Sequence, residues 1–195
     1  MNEKARKPKI KHEQEPAALL RLDFGCGPHP REGFEGVDSI AFPGVKYVLN
    51  VGVYPFPWPD NSVEEANASH FVEHLTATQR VHFINELYRV LKPKGTCLIT
   101  TPHWASNRAY GDPTHQWPPV AEMWFYYLSC EWRKSNAPHT DLEFNPNGFN
   151  CNFAATWGYN LHADLAVRNP EYVSHAIAWN KEAAQDIVAT LTKEL

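Results

Sequence analysis

Three absences narrow the reading of this sequence before any motif is considered. There is no surplus of positive charge: 18 Lys and Arg face 22 Asp and Glu, for a formal net charge of −4. A domain devoted to DNA or RNA needs a basic face that displaces counterions from phosphates, so bulk nucleic acid is disfavoured as a partner. There is no apolar run approaching the ~20 residues of a membrane span, so no membrane partner is expected. The four cysteines, Cys26, Cys97, Cys130 and Cys151, contain no C-x-x-C pair. That sets aside a zinc knuckle and a redox dithiol and leaves free thiols suited to a reducing compartment. The first 17 residues are rich in Lys and Glu and lack the apolar segment of a secretory signal. They are expected to form a disordered tail (1–17) ahead of one domain over 18–195, in a cytoplasmic protein. No internal repeat or linker divides the 195 residues, a length that suits a single domain. Nothing in the sequence fixes an oligomeric state.

What is present is an alternation of short apolar strands and turns. Leu19–Phe24 reads as a buried strand that stops at Gly25, Glu35–Asp38 as a second strand ending in an acid, and Lys46–Val51 as a third. A proline-rich loop, Pro55–Ser62, leads to a fourth strand over Val63–Ser69. Thr76-Ala77-Thr78-Gln79 fits a capping box, and Val81, Ile84, Leu87, Tyr88 and Leu91 follow at helical spacing on one face. Lys92-Pro93-Lys94-Gly95 should end that helix, because proline cannot continue it and glycine tolerates positive φ. Thr96–Thr101 is the fifth strand. Residues 102–140 are irregular, aromatic and rich in Pro and His, with one helix expected near Val120–Glu131. A strand over Asn152–His162, a helix over Glu171–Glu182 and a last strand over Gln185–Thr192 complete the chain. The fold class is α/β, with a largely parallel sheet.

The chemistry gathers at the end of the first strand. In Asp23-Phe24-Gly25-Cys26-Gly27-Pro28 the glycines permit a tight turn and let a ligand approach the backbone, at the carboxyl end of a strand where α/β folds bind ligands. Asp38 ends the second strand, and an acid there can accept hydrogen bonds from both ribose hydroxyls. The third position of the glycine pattern is His29, and only residues 26–34 separate the first two strands, fewer than a helical crossover between parallel strands needs. A nicotinamide-nucleotide enzyme would carry that third glycine and a longer spacing, so it is the weakest alternative.

With these residues in view, the sequence resembles the class I S-adenosylmethionine-dependent methyltransferases, and most closely the small methyltransferase type 11 group of bacteria and their phages. The matching pieces are Leu22–Pro28, Gly33–Asp38, Pro55–Val63, Ala68–Leu75 and Leu87–Gly95, in the family's order over residues 20–102. The resemblance implies a single Rossmann-like methyltransferase domain with an antiparallel last strand, a shortened first crossover and an aromatic-rich insert over 102–165 on the acceptor side. It implies S-adenosyl-L-methionine as cofactor, held by Asp23, Gly25, Cys26 and Gly27 on the methionine side. The ribose would lie on Asp38, the adenine near Asn50 and Val51, and the edge of the cofactor near Ser69 and His70. Asn50 stands where relatives often carry Asp; an amide still accepts one hydrogen bond and donates another. The acceptor would be small or medium and is not identified. The alternative is a fold that binds S-adenosylmethionine or S-adenosylhomocysteine without methyl transfer, as a binding or assembly module.

If the acceptor is a hydroxyl or a protonated amine, a base must take its proton, and histidine suits that task. His70 and His103 follow strand ends, and His115 lies in the insert as Asp112-Pro113-Thr114-His115-Gln116-Trp117. The blander reading of that segment is a turn started by Asp112 with His115 packed on Trp117. His70-Phe71-Val72-Glu73-His74 also matches H-x-x-E-H, a zinc-protease pattern when it lies on a helix. Here it sits between a strand and a capping box, so a loop or a single turn is expected, and no metal.

Overall fold

The computed structural model describes residues 19–195, so the tail expected over 1–17 lies outside the described residues. Seven strands form one sheet in the order β3-β2-β1-β4-β5-β7-β6. They are β1 (Arg21–Phe24), β2 (Glu35–Asp38), β3 (Val45–Val48), β4 (Val63–Ser69), β5 (Leu91–Pro102), β6 (Phe153–Leu161) and β7 (Ala184–Lys193). All neighbouring pairs among β1–β5 are parallel, and β7 runs antiparallel to both β5 and β6. This is the mostly parallel sheet with an antiparallel last strand that the sequence led us to expect. Among the described residues no helix is long and apolar enough to cross a membrane.

Helix α1 (Ala77–Val90) starts as its sequence dictates. Thr76 Oγ1 accepts from the Gln79 N–H at 3.3 Å, and Gln79 Oε1 accepts from the Thr76 N–H at 2.9 Å. Phe83, Ile84, Leu87 and Val90 are buried along one face and join Leu22, Phe24, Ala66 and Ile99 of the sheet in a single core. The helix ends differently from expectation. Positive φ falls on Lys94 (65°), not on Gly95. Gly95 is required by close approach instead, since a Cβ there would lie 2.9 Å from the Lys92 carbonyl oxygen and 3.0 Å from that of Glu64. Residues 92–95 are a bulge within β5, where pairing with β4 jumps from Val63↔Leu91 to Glu65↔Thr96.

The short first crossover closes without a helix. Asp23 Oδ2 accepts from the Arg31 N–H at 2.7 Å. Gly36 carries no Cβ that would meet Cys26 Sγ and Pro30 Cγ at 2.8 Å, so the crossover lies directly on β2. Strand β3 stops at Val48, short of the expected Val51, because Asn50 turns the chain: its carbonyl accepts from Val53 and Tyr54, and its Oδ1 from Gly52.

The insert is more helical than its composition suggested. It holds α2 (Arg108–Gly111), α3 (Glu122–Tyr126) and α4 (Cys130–Asn136). The single helix expected over 120–131 is therefore two. Ser129 breaks it by accepting from the Trp132 N–H, which caps a new start. Buried Arg133 then fastens the second half of the insert, with Nε donating to Asp141 at 3.1 Å and Nη2 to the Cys151 carbonyl at 2.8 Å. Helix α5 (Pro170–Trp179) connects β6 to β7, its N-terminus capped by Asn169.

Candidate functional site

The carboxyl ends of β1, β2, β3 and β4 converge on one cleft of about 440 Å³, lined by Gly25, Asp38, Leu49, Asn50, Val51 and His70, with Ile40, Phe71 and His74 among its other walls. That volume is within the ~300–1,000 Å³ usual for small-ligand sites. On the other side of Gly25 lies a second lobe of about 450 Å³, lined by Asp23, Cys26, His29, Arg31, Asn67 and Ser69. A third pocket of about 630 Å³ shares His70 with the first and is completed by Pro102, Arg108, Gly111, Asp112, Pro113 and His115. The structure thus brings Gly25, Asp38, Asn50, Val51 and His70 to the first lobe. Asp23, Cys26 and Ser69 fall in the second, and His115 in the pocket beyond.

Each wall has a local cause. Gly25 (φ +66°) cannot be replaced, because a Cβ would come within 2.3 Å of the Phe71 ring. The glycine there serves packing against Phe71 as much as access to a ligand. Gly27 (φ +55°) lies off the lining of both lobes, and its N–H donates to Asp38 Oδ2 at 2.9 Å. Asp38 Oδ1 accepts from the Ile40 N–H, also at 2.9 Å, so this carboxylate already ties the β1 turn to the loop after β2. Each of its oxygens keeps one further acceptor site. Asp23 is buried and accepts from Arg31 and from Asn67 Nδ2, the latter at 2.6 Å; Arg31 Nη1 in turn donates to Asn67 Oδ1 at 3.2 Å. One hydrogen bond from the Arg31 N–H and one from its guanidinium thus brace the crossover in place of a helix.

His70 adopts φ +51°, a left-handed conformation unusual for a residue with a Cβ, where the chain leaves β4. Its N–H donates to the Thr100 carbonyl at 2.8 Å, and its ring opens to the cleft. Nδ1 lies 3.3 Å from Glu73 Oε1, and that carboxylate raises the His70 pKa against the opposing effect of burial. Residues Val72–His74 form a single 3-10 turn, as expected for the segment.

Residues 38–99 match the family model of the methyltransferase domain. The fold is similar to a SAM-dependent methyltransferase from Archaeoglobus fulgidus, with 18% identity, 91% of this chain and 87% of that chain covered, and a TM-score of 0.62. It is also similar to a SAM-dependent methyltransferase from Methanosarcina mazei (14% identity, 98% and 100% covered, TM-score 0.52) and to the YcgJ protein of Bacillus subtilis (15%, 91% and 93%, 0.50). No curated protein matches in sequence. This is the class I methyltransferase fold. Within it, the strand-end cleft just described lies where α/β folds bind their ligands.

Besides Gly27, one expected residue stands apart from all three pockets. His103 follows β5 but is only 1% exposed. Its Nδ1 accepts from the Ala105 N–H at 3.2 Å, so Nε2 carries the proton and donates to Glu122 Oε1 at 2.9 Å. Both ring nitrogens are engaged inside the protein, so neither faces a pocket. The blander reading of the insert is half right. Asp112 Oδ1 does accept from the Thr114 N–H at 2.8 Å to make a turn, but His115 packs on His74 with ring centroids 4.8 Å apart, and Trp117 is 77% exposed.

The sequence reading missed Arg80. Only 3% exposed, it donates to the carbonyls of Val72 (2.8 Å), Pro118 (2.6 Å), Gln116 (3.2 Å) and Glu73 (3.4 Å), and so clamps the insert to the turn after β4. Burial lowers its pKa, opposed by nearby Glu73. The available signal was register, since Arg80, Ile84, Leu87 and Leu91 fall at helical spacing on the buried face. Glu73, His74 and His115 were also missed as a group: one ligand atom of each lies within 4.8 Å of the others.

Proposed function

We propose that this chain is a methyltransferase that transfers the methyl group of S-adenosylmethionine to a small or medium acceptor. The observation that carries the reading is the convergence of Gly25, Asp38, Asn50, Val51 and His70, from four separate strand ends, on one cleft in a methyltransferase fold. In this reading the second lobe, with Asp23, Cys26 and Ser69, takes the methionine part; Asp38 takes the ribose with its remaining acceptor sites; and Asn50 and Val51 flank the adenine. When bound, the cofactor supplies an activated methyl group and a sulfur that keeps the electron pair of the broken bond. The chain contributes binding and alignment, which supply much of the rate of such a displacement. His70 stands between the cofactor cleft and the pocket lined by Arg108, Asp112 and His115, and is the residue we assign to contact the acceptor. The pocket belongs in part to the insert, so the insert selects the acceptor.

Calorimetry with S-adenosylmethionine, S-adenosylhomocysteine and NAD tests the cofactor assignment. The two sulfur nucleosides should bind and NAD should not. Asp38→Ala should weaken binding by about tenfold or more, the effect of one lost hydrogen bond to a charged group. Preference for NAD, or an Asp38→Ala protein that binds as the parent does, defeats the assignment. Binding without any S-adenosylhomocysteine produced across a broad acceptor panel would favour a binding or assembly module instead.

A further inference from the structure

The turn after β4 buries a carboxylate that has no hydrogen bond among the described residues. The Glu73 side chain is 5% exposed, and among the described residues neither of its oxygens has a hydrogen-bond partner. The nearest ring nitrogen of His70, Nδ1 at 3.3 Å, lies within ion-pair distance but without hydrogen-bond geometry. Buried Arg80 is close by, but its guanidinium is directed to backbone carbonyls, that of Glu73 included. A buried anion without hydrogen bonds is costly, and such groups are normally paired or bound to a metal.

Two imidazoles lie beside this carboxylate. His74 and His115 meet edge to face, and one nitrogen of each, with one oxygen of Glu73, lie within 4.8 Å of one another. Their surroundings select the tautomer a metal needs. His115 Nδ1 is 3.3 Å from the Ala109 carbonyl oxygen, which can only accept, so Nδ1 carries the proton and Nε2 is left with its lone pair. The Thr114 hydroxyl donates to Asp112 Oδ1 at 2.6 Å and therefore accepts from His74 Nδ1 at 3.0 Å, which leaves His74 Nε2 with its lone pair too. A ring whose far N–H is held by a carbonyl, hydroxyl or carboxylate is the usual outer arrangement of a metal-binding histidine.

We propose that Glu73, His74 and His115 bind one divalent transition-metal ion, with Thr114 and Asp112 orienting His74. Ligands at the usual ~2.0–2.2 Å from such an ion lie roughly 3–4 Å from one another, so small side-chain rotations close the present spread. Two imidazoles and one carboxylate favour an ion of the zinc, cobalt or manganese kind over calcium. Three protein ligands leave coordination positions open. His74 lines the first cleft and His115 the neighbouring pocket, so the ion lies where the two meet. The site does not require that methyl transfer occurs, and it is tested without activity.

The experiment uses the full chain, freed of metal with a chelator and titrated with Zn²⁺ and Co²⁺ by calorimetry and, for Co²⁺, by visible absorption. One equivalent should bind, with Co²⁺ giving ligand-field bands. Loss of an outer-shell partner costs about 10–100-fold in affinity, so Thr114→Val should fall in that range, and His115→Ala and Glu73→Gln at or beyond about 100-fold. His139→Ala, at an exposed histidine elsewhere in the insert, should bind as the parent does. Circular dichroism of each variant separates loss of a ligand from loss of the fold, and Glu73→Gln, which removes only a charge, is the variant least exposed to that ambiguity. Absence of stoichiometric binding by the parent, or equal affinity in folded His115→Ala and Glu73→Gln proteins, overturns the proposal.

Discussion

Glu73 and Glu122 stand on opposite sides of β5 in sequence, each beside a histidine that follows a strand end. Glu122 accepts from His103 Nε2 at 2.9 Å and from the Tyr159 hydroxyl at 3.0 Å. Burial pushes its carboxyl up, and these hydrogen bonds more than offset that, holding it at about 2. The Glu73 side chain is the more buried of the two, 5% exposed against 27%, yet its carboxylate has no hydrogen bond among the described residues. The described residues complete the half-buried carboxylate of Glu122 with their own donors and leave the buried one of Glu73 to a ligand. A buried network that is fully satisfied specifies structure, whereas one left incomplete is where a ligand or ion belongs. The contrast therefore separates a structural histidine, His103, from the histidines of the site.

The largest test of this contrast is Arg80→Met. Arg80 supports the surroundings of Glu73 through four carbonyls and not through the carboxylate. Losing it leaves buried acceptors without donors, and the stability should fall by roughly 3–5 kcal/mol in urea unfolding. The Gln116 N–H, bonded to the Glu73 carbonyl at 2.8 Å, should exchange with solvent faster, because the insert comes away from the turn. An unchanged midpoint would mean that the clamp is idle and that the insert is held to the site by other contacts.

Next in size is Glu122→Ala, which strands the His103 N–H and the Tyr159 O–H and should cost about 1–3 kcal/mol. Its pH dependence has a definite sign. The folded carboxyl sits at about 2 against an ordinary 4.5, so the stability it contributes is present in full above pH 4.5 and is lost as pH falls through about 2. Urea midpoints measured down that range should therefore decline less steeply for Glu122→Gln than for the parent. Equal slopes would show that Glu122 is not held by its partners, and the contrast with Glu73 would then rest on burial alone.

How far these features were legible depends on the reach of the interaction that makes them. Thr76 with Gln79, and the strand-end acid Asp38, act within a few residues or at a fixed place in the fold, and the sequence announces both. The break between α3 and α4 depends on Ser129 competing as a cap inside an aromatic run, which periodicity does not resolve. His103 misled because a strand end says where a residue sits but not where its ring turns; Ala105 and Glu122 decide that. The H-x-x-E-H spacing of His70, Glu73 and His74 is plain, but between a strand and a capping box it reads as a loop or single turn, which points away from a metal. His115 arrives forty-one residues after His74, on an irregular insert, brought there by Arg80 and Gln116. No local pattern carries that information.

The smallest expected effect is the most discriminating. In chelator, Glu73→Gln removes a buried charge that no hydrogen bond among the described residues supports, while the amide keeps the volume and still lacks partners. The two contributions nearly cancel, so stability should be unchanged or raised by up to about 1 kcal/mol. In Zn²⁺ at a hundredfold excess over its dissociation constant, the parent should gain about 2.7 kcal/mol by mass action and the variant almost nothing. The two carboxylates would then respond differently to removal under the same metal-free conditions, Glu122 with a loss of stability and Glu73 without one. A loss of more than about 2 kcal/mol for Glu73→Gln in chelator would mean that His70 alone satisfies the carboxylate, since only a partner within the chain is removed under those conditions.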